Sequence, residues 1–72
     1  MRDFFVHQKG HKNVTIGGVK LLIDFLPERI VLRASGAEIT VEGEGLEIQR
    51  FDENEIQIEG KVTAILTEVT RR

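Results

Sequence analysis

The sequence predicts an all-β domain, a small antiparallel meander of about six to seven short strands that forms a β-sandwich or roll. First, apolar residues occupy every second position over most of the chain, which is the period of a strand with one buried face. Second, turn residues interrupt this pattern at intervals of about 8–12 residues. Third, the 72 residues contain no Pro- or Ser-rich linker, so a single domain is expected.

The N-terminal segment is expected to differ from the rest of the chain. Residues 1–12 are interpreted as a strand or tail, and residues 13–72 as the β domain. The segment Phe4-Phe5-Val6 is expected either to form a short strand or to pack against a partner. In a strand, its adjacent residues would point to opposite sides.

The first strands of the domain surround a glycine pair. Residues 13–16 alternate as a strand, and Gly17-Gly18 supplies positive φ for a turn or bulge. A second strand is expected over residues 19–25. Its predicted apolar face holds Val19, Leu21, Ile23 and Phe25, while Leu22 lies on the opposite face with Lys20 and Asp24.

The central strands are separated by turns. The predicted turns are "LPER" with Pro27, Ser35-Gly36, a short hairpin at Gly43-Glu44-Gly45, and "FDEN" at residues 51–54. They delimit strands over residues 30–34, 37–42 and 46–50, with alternate apolar residues inward and Glu, Gln and Thr outward; Val31 and Arg33 are also expected to face outward.

The last stretch, residues 55–69, carries two irregularities. Gly60 stands where a side chain is expected, which indicates a bulge or a corner between two sheets. The apolar phase also slips after Ala64, which is typical of a bulge. A short helix over residues 62–69 is the alternative, but the β-branched residues there disfavour it.

Composition favours a chain that relies on a partner subunit. A 72-residue core supplies only about 3–5 kcal/mol of stability, and without cysteine neither disulfides nor thiolate metal sites can add to it. Residues 1–33 hold six basic and three acidic residues, a net charge of +3, and residues 34–70 hold two and nine, a net charge of −7. The acidic half forms either a solvated face or a contact with a basic surface such as the basic half of a second copy.

Several function classes are disfavoured. The acidic half repels phosphate and no basic stripe is interleaved with aromatic residues, so nucleic-acid binding is not expected. No apolar run reaches the roughly 20 residues of a membrane span. The N-terminus lacks the pattern of a signal peptide, so we expect a soluble protein without an export signal.

Candidate chemical groups are better explained without catalysis. His7 and His11 flank Gly10 and lack a third ligand, so no metal site is expected. The acidic turn of Asp52, Glu53 and Glu55 lacks the spacing of a calcium loop. Ser35 has no histidine near it in sequence, and Glu38 and Glu47, expected on neighbouring strands, should face water. The sequence therefore predicts neither an enzyme nor a cofactor.

The order of glycines and aliphatic residues carries a resemblance to a known family. A Gly-Val step at Gly18-Val19 is followed by Phe25, by Ile30 and Leu32 on the next strand, and by the turn residue Gly36. The steps Val41-Glu42-Gly43, Leu46-Glu47-Ile48 and Ile58-Glu59-Gly60-Lys61-Val62 follow at β spacing. Over about residues 13 to 66 this pattern resembles the YabP/YqfC family of sporulation proteins.

The resemblance implies a role in spore morphogenesis or coat assembly through protein–protein contacts, in the cytoplasm of a sporulating bacterium or on the spore coat. It implies no catalytic mechanism. The partners expected are a second copy of the chain and other spore-assembly proteins. Phe4, Phe5 and Val6 are the predicted interface residues, since one of the adjacent phenylalanines can enter the core while the other faces a partner. A small-ligand or metal-binding β domain is the alternative.

Overall fold

The computed structural model describes residues 4–69, and these form one open antiparallel sheet of six strands without a helix. The strands stand in the order β1-β2-β6-β5-β4-β3. Their bounds are β1 Phe5–Lys9, β2 Asn13–Gly17, β3 Val19–Leu26, β4 Arg29–Ala34, β5 Ala37–Asp52 and β6 Glu55–Val69. The predicted all-β antiparallel class is confirmed. Strands β3 to β6 form a meander, and the β1–β2 hairpin adds to the other side of β6.

The sheet folds over on itself because its two longest strands bend. A straight strand of 16 residues, the length of β5, would span about 53 Å. The greatest extent of the molecule is only 33 Å. Residues 55–59 of β6 pair with β2, whereas residues 37–42 of β5 pair with β4. The two bends therefore divide the sheet into two halves that face each other.

The core lies between these halves. Its buried side chains come from five strands and form one cluster. Its members are Val14, Ile16, Val19, Ile30, Leu32, Ala34, Ile39, Val41, Leu46, Ile56, Ile58 and Val62. Most of these are the alternating apolar residues of the sequence, and no charged or polar side chain among residues 4–69 is buried with them. Burial of this apolar surface drives the folding of the sheet onto itself.

The predicted hairpin at Gly43-Glu44-Gly45 is wrong. The strand β5 runs through these residues, and its register with β6 shifts between Glu42 and Gly43 and again between Glu44 and Glu47. A Cβ at Gly43 would clash with the carbonyl oxygen of Lys61. The glycine is therefore needed for a close approach of two bent strands, and the chain does not reverse there.

Gly60 and the phase slip mark the matching bend of β6. Gly60 has a φ of 139°, and a Cβ there would lie 2.6 Å from the carbonyl oxygen of Gly45. Residues Glu42 and Gly43 pair with Ala64 and Val62, so Thr63 is the extra residue of a bulge. The predicted irregularities are present, and the slip falls at Thr63.

The predicted apolar face of β3 is wrong at Leu21 and Ile23. Register shifts on either side of Leu22 place Val19, Leu22 and Phe25 opposite the inward residues Ala34, Leu32 and Ile30. Residues that are paired across strands share a face. Leu22 therefore packs against the core, whereas Leu21 is 53% exposed. Because each of the two bulges inserts one extra residue, the inward positions of β3 recur at every third residue instead of every second.

The hairpin tips are hydrogen-bonded to the bends. The N–H groups of Gly60 and Val62 donate to the carbonyls of Lys12 and His11, in the turn between β1 and β2. In the other half, the N–H groups of Gly43 and Leu46 donate to the carbonyls of Glu28 and Pro27, in the turn between β3 and β4. Each bend is thus held by the tip of one hairpin.

Candidate functional site

The predicted interface residues lie at the start of the edge strand β1 and just before it. Phe4 is half-buried and packs against the core. Phe5 is 50% exposed, pairs with Gly17, and its ring lies over that glycine where a Cβ would clash. Val6 is 36% exposed opposite Ile16. One phenylalanine therefore packs inward and the next lies on the outer face of the sheet.

The histidines and the acidic turn are exposed. His7 pairs with Thr15 in β1, and His11 lies in the following turn. Within residues 4–69, no group of three or more His, Cys, Asp or Glu side chains is arranged to hold a metal ion. Asp52 forms an ion pair of 3.3 Å with Arg50.

The candidate acid–base residues do not meet. Glu38 and Glu47 both belong to β5, which corrects the expectation that they lie on neighbouring strands. They lie on opposite sides of the bend, where Glu38 pairs with Arg33 and Glu68 while Glu47 pairs with Glu59. Ser35 lies in the turn between β4 and β5, whereas the histidines lie in β1 and in the turn that follows it. These groups form no sheltered cleft for proton transfer.

Sequence reasoning missed a stretch of β6 that the bend leaves half paired. Residues 64–69 pair with residues 37–42 of β5 on one side. On the other side, the pairing of β6 with β2 ends at Glu59, and the turn residues His11 and Lys12 bond no further than Val62. In the part of the chain that the structure describes, no strand pairs with this second side of residues 64–69, which we call the open arm.

An open notch lies where the open arm begins. It has a volume of about 590 Å³ and is lined by His11, Lys12, Asn13, Glu59, Gly60 and Lys61. Lys12 and Lys61 line it together with Glu59, and Glu44 of β5 pairs with Lys61, so the formal charges around the notch balance. The outer face of the open arm holds Ala64, Leu66 and Glu68, which pair with Glu42, Thr40 and Glu38. Glu42 and Glu38 also pair with Arg29 and Arg33 of β4, so the outer face beside the arm carries charges of both signs.

Two of the six residues of the open arm have exposed apolar side chains. Leu66 is 53% and Val69 66% exposed, while Ile65 is half-buried against the core. The only signal for this surface in the sequence is the phase slip near Ala64. That slip indicates a bulge but gives no information on which strand is left without a neighbour.

The fold is that of a small all-β protein. In the described residues, its most distinctive surface consists of exposed strand edges. The sequence model of the YabP family matches residues 6–68. The chain belongs to the YabP family and is thus a sporulation protein, of a family not known for enzymes. The predicted resemblance is confirmed, and the match extends beyond residues 13 to 66 into the N-terminal strand β1. No curated protein matches the chain.

The residues of the family pattern serve the fold. Gly43 and Gly60 allow the close approach of β5 and β6 at the bends, and Gly18 has the φ of 80° at the step from β2 to β3. Among residues 4–69 there is no helix, and so none long and apolar enough to cross a membrane.

Proposed function

We propose that this protein acts in spore morphogenesis or coat assembly without catalysis, by presenting strand edges to other proteins. The observation that carries the proposal is the exposed edge strand β1, whose register with β2 is regular over five residue pairs. The outer side of such a strand presents unpaired N–H and C=O groups that a second chain can satisfy. The absence of buried charged side chains among residues 4–69 also supports a binding role over acid–base chemistry.

The first partner we propose is a second copy of the chain. A 72-residue domain gains stability from a subunit contact, and Phe5 and Val6 supply apolar surface at the β1 edge. Phe4 anchors this segment to the core, so the edge is held in place for pairing. The protein would work as a homodimer with other spore-assembly proteins, in the cytoplasm of the sporulating cell or on the coat.

Sedimentation velocity of Phe5→Ser tests the dimer. The matched control is Phe25→Ser, since Phe25 is also 50% exposed but lies on β3. We expect the wild type and the control to sediment as dimers and Phe5→Ser to shift toward the monomer. A monomeric wild type, or equal dissociation of both variants, would refute the β1 interface.

The cellular role is tested by complementation of a deletion mutant. In a spore-forming bacterium that lacks this protein, the wild-type chain should restore heat-resistant spores and Phe5→Ser should not. A deletion that leaves spore yield, heat resistance and coat structure unchanged would contradict the role in morphogenesis.

A further inference from the structure

We propose that two copies of the chain pair through β1 with His7 of each copy at the twofold axis, so that protonation of this histidine weakens the dimer. The inference rests on the proposed function, because it takes the β1 dimer as given and adds its register and its control by pH. It assigns a role to an exposed histidine of the edge strand that the apolar contacts of the dimer leave unused.

The first argument is the symmetry of a dimer that pairs edge to edge. All strand pairs in this sheet are antiparallel, and antiparallel pairing of β1 with its own copy continues the sheet. Residues that oppose each other across such a pair lie on the same face. The twofold axis that relates two identical strands therefore runs perpendicular to the sheet, and the residue at the axis opposes itself. The possible registers differ in which residue of β1 lies there.

The second argument selects the register centred on His7. His7 is the middle residue of the five in β1, so only this register pairs the whole strand. It places Val6 opposite Gln8 of the second copy. It also places Phe5 opposite Lys9 of the second copy, where the ammonium group can lie against the aromatic ring. With Gln8 at the axis, Lys9 would oppose His7, and with Lys9 at the axis two lysines would repel each other.

The third argument is that the sheet beside His7 offers no neighbouring carboxylate. His7 pairs with Thr15 of β2, and Thr15 pairs with Gln57 of β6. Arg50 of β5 follows in the same row. Strand β2 contains no charged residue, and Lys9 lies two residues along β1 on the face of His7. The immediate surroundings of the imidazole are therefore uncharged or basic.

The acidic side chains of this face lie farther away. Glu55 and Glu59 of β6 pair with Gly17 and Asn13 of β2, so each is separated from β1 by one strand. Two strand spacings amount to about 10 Å, which is close to the screening length at 0.1 M salt. These carboxylates therefore compensate little of a positive charge on His7.

The response to pH follows from this arrangement. An imidazole side chain becomes positively charged between about pH 8 and pH 5. In the dimer, two protonated His7 side chains would oppose each other, and Lys9 of each copy would lie diagonally across from His7 of the other. Separation of the copies removes this repulsion. The dimer is therefore tight at high pH and weakens as the pH falls through the range in which histidine is protonated.

Single cysteines test the register, because the chain has no cysteine of its own. In His7→Cys, the two thiols would lie at opposed positions, where the Cα atoms are about 4.5–5.5 Å apart and a disulfide can form. In the controls Val6→Cys and Gln8→Cys, the two Cα atoms would be about 8 Å apart, which is too far. We expect His7→Cys to form covalent dimers at least about tenfold faster than either control in non-reducing electrophoresis after mild oxidation.

The dimer dissociation constant at two pH values tests the switch. His7→Gln removes the titrating group, and the matched control is His11→Gln, since His11 is also exposed but lies in the turn after β1. Sedimentation at low salt should show the wild-type dissociation constant rising about fivefold from about pH 8 to pH 6. His11→Gln should behave like the wild type. His7→Gln should change less than about twofold, and circular dichroism should show folded protein at both pH values.

Three results would overturn the inference. One is a wild-type dissociation constant that does not change with pH, another is a pH response that His7→Gln retains, and the third is cross-linking at position 6 or 8 as fast as at position 7. If any of these occurred while Phe5→Ser still dissociated the dimer, the β1 interface would stand and only its register or its switch would be wrong. A wild type that is monomeric at both pH values would refute the β1 dimer and this inference together.

Discussion

The strand β3 and the open arm of β6 form the two edges of the same half of the sheet, and both expose leucine. Leu21 and Leu66 are equally exposed, at 53%. Their backbones differ, because β3 is broken by two register shifts whereas residues 64–69 pair regularly with β5. The comparison teaches that exposed apolar area alone does not identify a binding edge. Backbone regularity decides which edge can accept another strand.

The largest expected effect comes from the bend that creates the open arm. In Gly43→Ala, the added Cβ would clash with the Lys61 carbonyl oxygen and approach Leu46 Cδ2 to 3.1 Å. We expect the free energy of unfolding to fall by about 2–4 kcal/mol, since backbone atoms cannot move aside cheaply. Chemical denaturation followed by circular dichroism measures this loss.

Gly36→Ala is the control for that substitution. Gly36 has a φ of 78°, but a Cβ there would meet no atom within 4 Å. Only the cost of a left-handed alanine, about 1–2 kcal/mol, is expected. If Gly43→Ala were no more destabilising than Gly36→Ala, the tight crossing of the two bends would be wrong.

A pair of alanine substitutions tests the irregular backbone of β3. Leu22→Ala should lower the free energy of unfolding by about 1.5 kcal/mol, less than a fully buried leucine loses, because Leu22 is only partly buried. Leu21→Ala should cost less than about 0.5 kcal/mol. The reverse order in thermal or chemical denaturation would mean that β3 keeps the simple alternation of the sequence.

A second pair of alanine substitutions compares a packed and an exposed residue of the open arm. Ile65 packs against the core, whereas its neighbour Leu66 does not. Ile65→Ala should therefore cost about 1 kcal/mol, and Leu66→Ala less than about 0.5 kcal/mol. Equal losses in denaturation experiments would show that Leu66 is covered, and the arm would then not be open.

The smallest effect is expected at the Asp24–Arg29 ion pair beside the bulges of β3. Arg29 Nη2 lies 3.6 Å from Asp24 Oδ2, and both side chains are about half exposed. Asp24→Asn keeps an oxygen that can accept the hydrogen bond from the Phe25 N–H and removes the charge. A loss below about 0.5 kcal/mol is expected, since water and salt screen such pairs. A larger loss that persists in high salt would assign this pair a structural role in protecting the edge.

The sequence predicted the parts of the fold that depend on local rules. Alternation identified the strands, and Gly60 and the slip near Ala64 identified a bend and a bulge. It failed at Leu21 and Ile23 because the bulges at Lys20 and Ile23 are marked by no glycine or proline. It failed at Gly43-Glu44-Gly45 because glycines that allow two strands to approach closely look like glycines of a turn. Such differences depend on contacts between distant residues.

The sequence predicted one of the candidate surfaces and missed the other, again because contacts between distant residues decide part of the geometry. The split between Phe4 and Phe5 follows from strand geometry, so it could be expected. The open arm and its notch depend on where β2 stops beside β6 and on which turn meets Gly60. Neither can be derived from the spacing of residues along the chain.

Amide hydrogen exchange of the free protein tests most directly whether residues 64–69 form an open edge. Residues 37–42 of β5 have neighbours on both sides, so all their amides should exchange slowly. In residues 64–69, we predict alternation between slow amides that bond to β5 and fast amides that face solvent. Uniformly slow exchange along residues 64–69 would show that this edge is already covered, and would contradict the account.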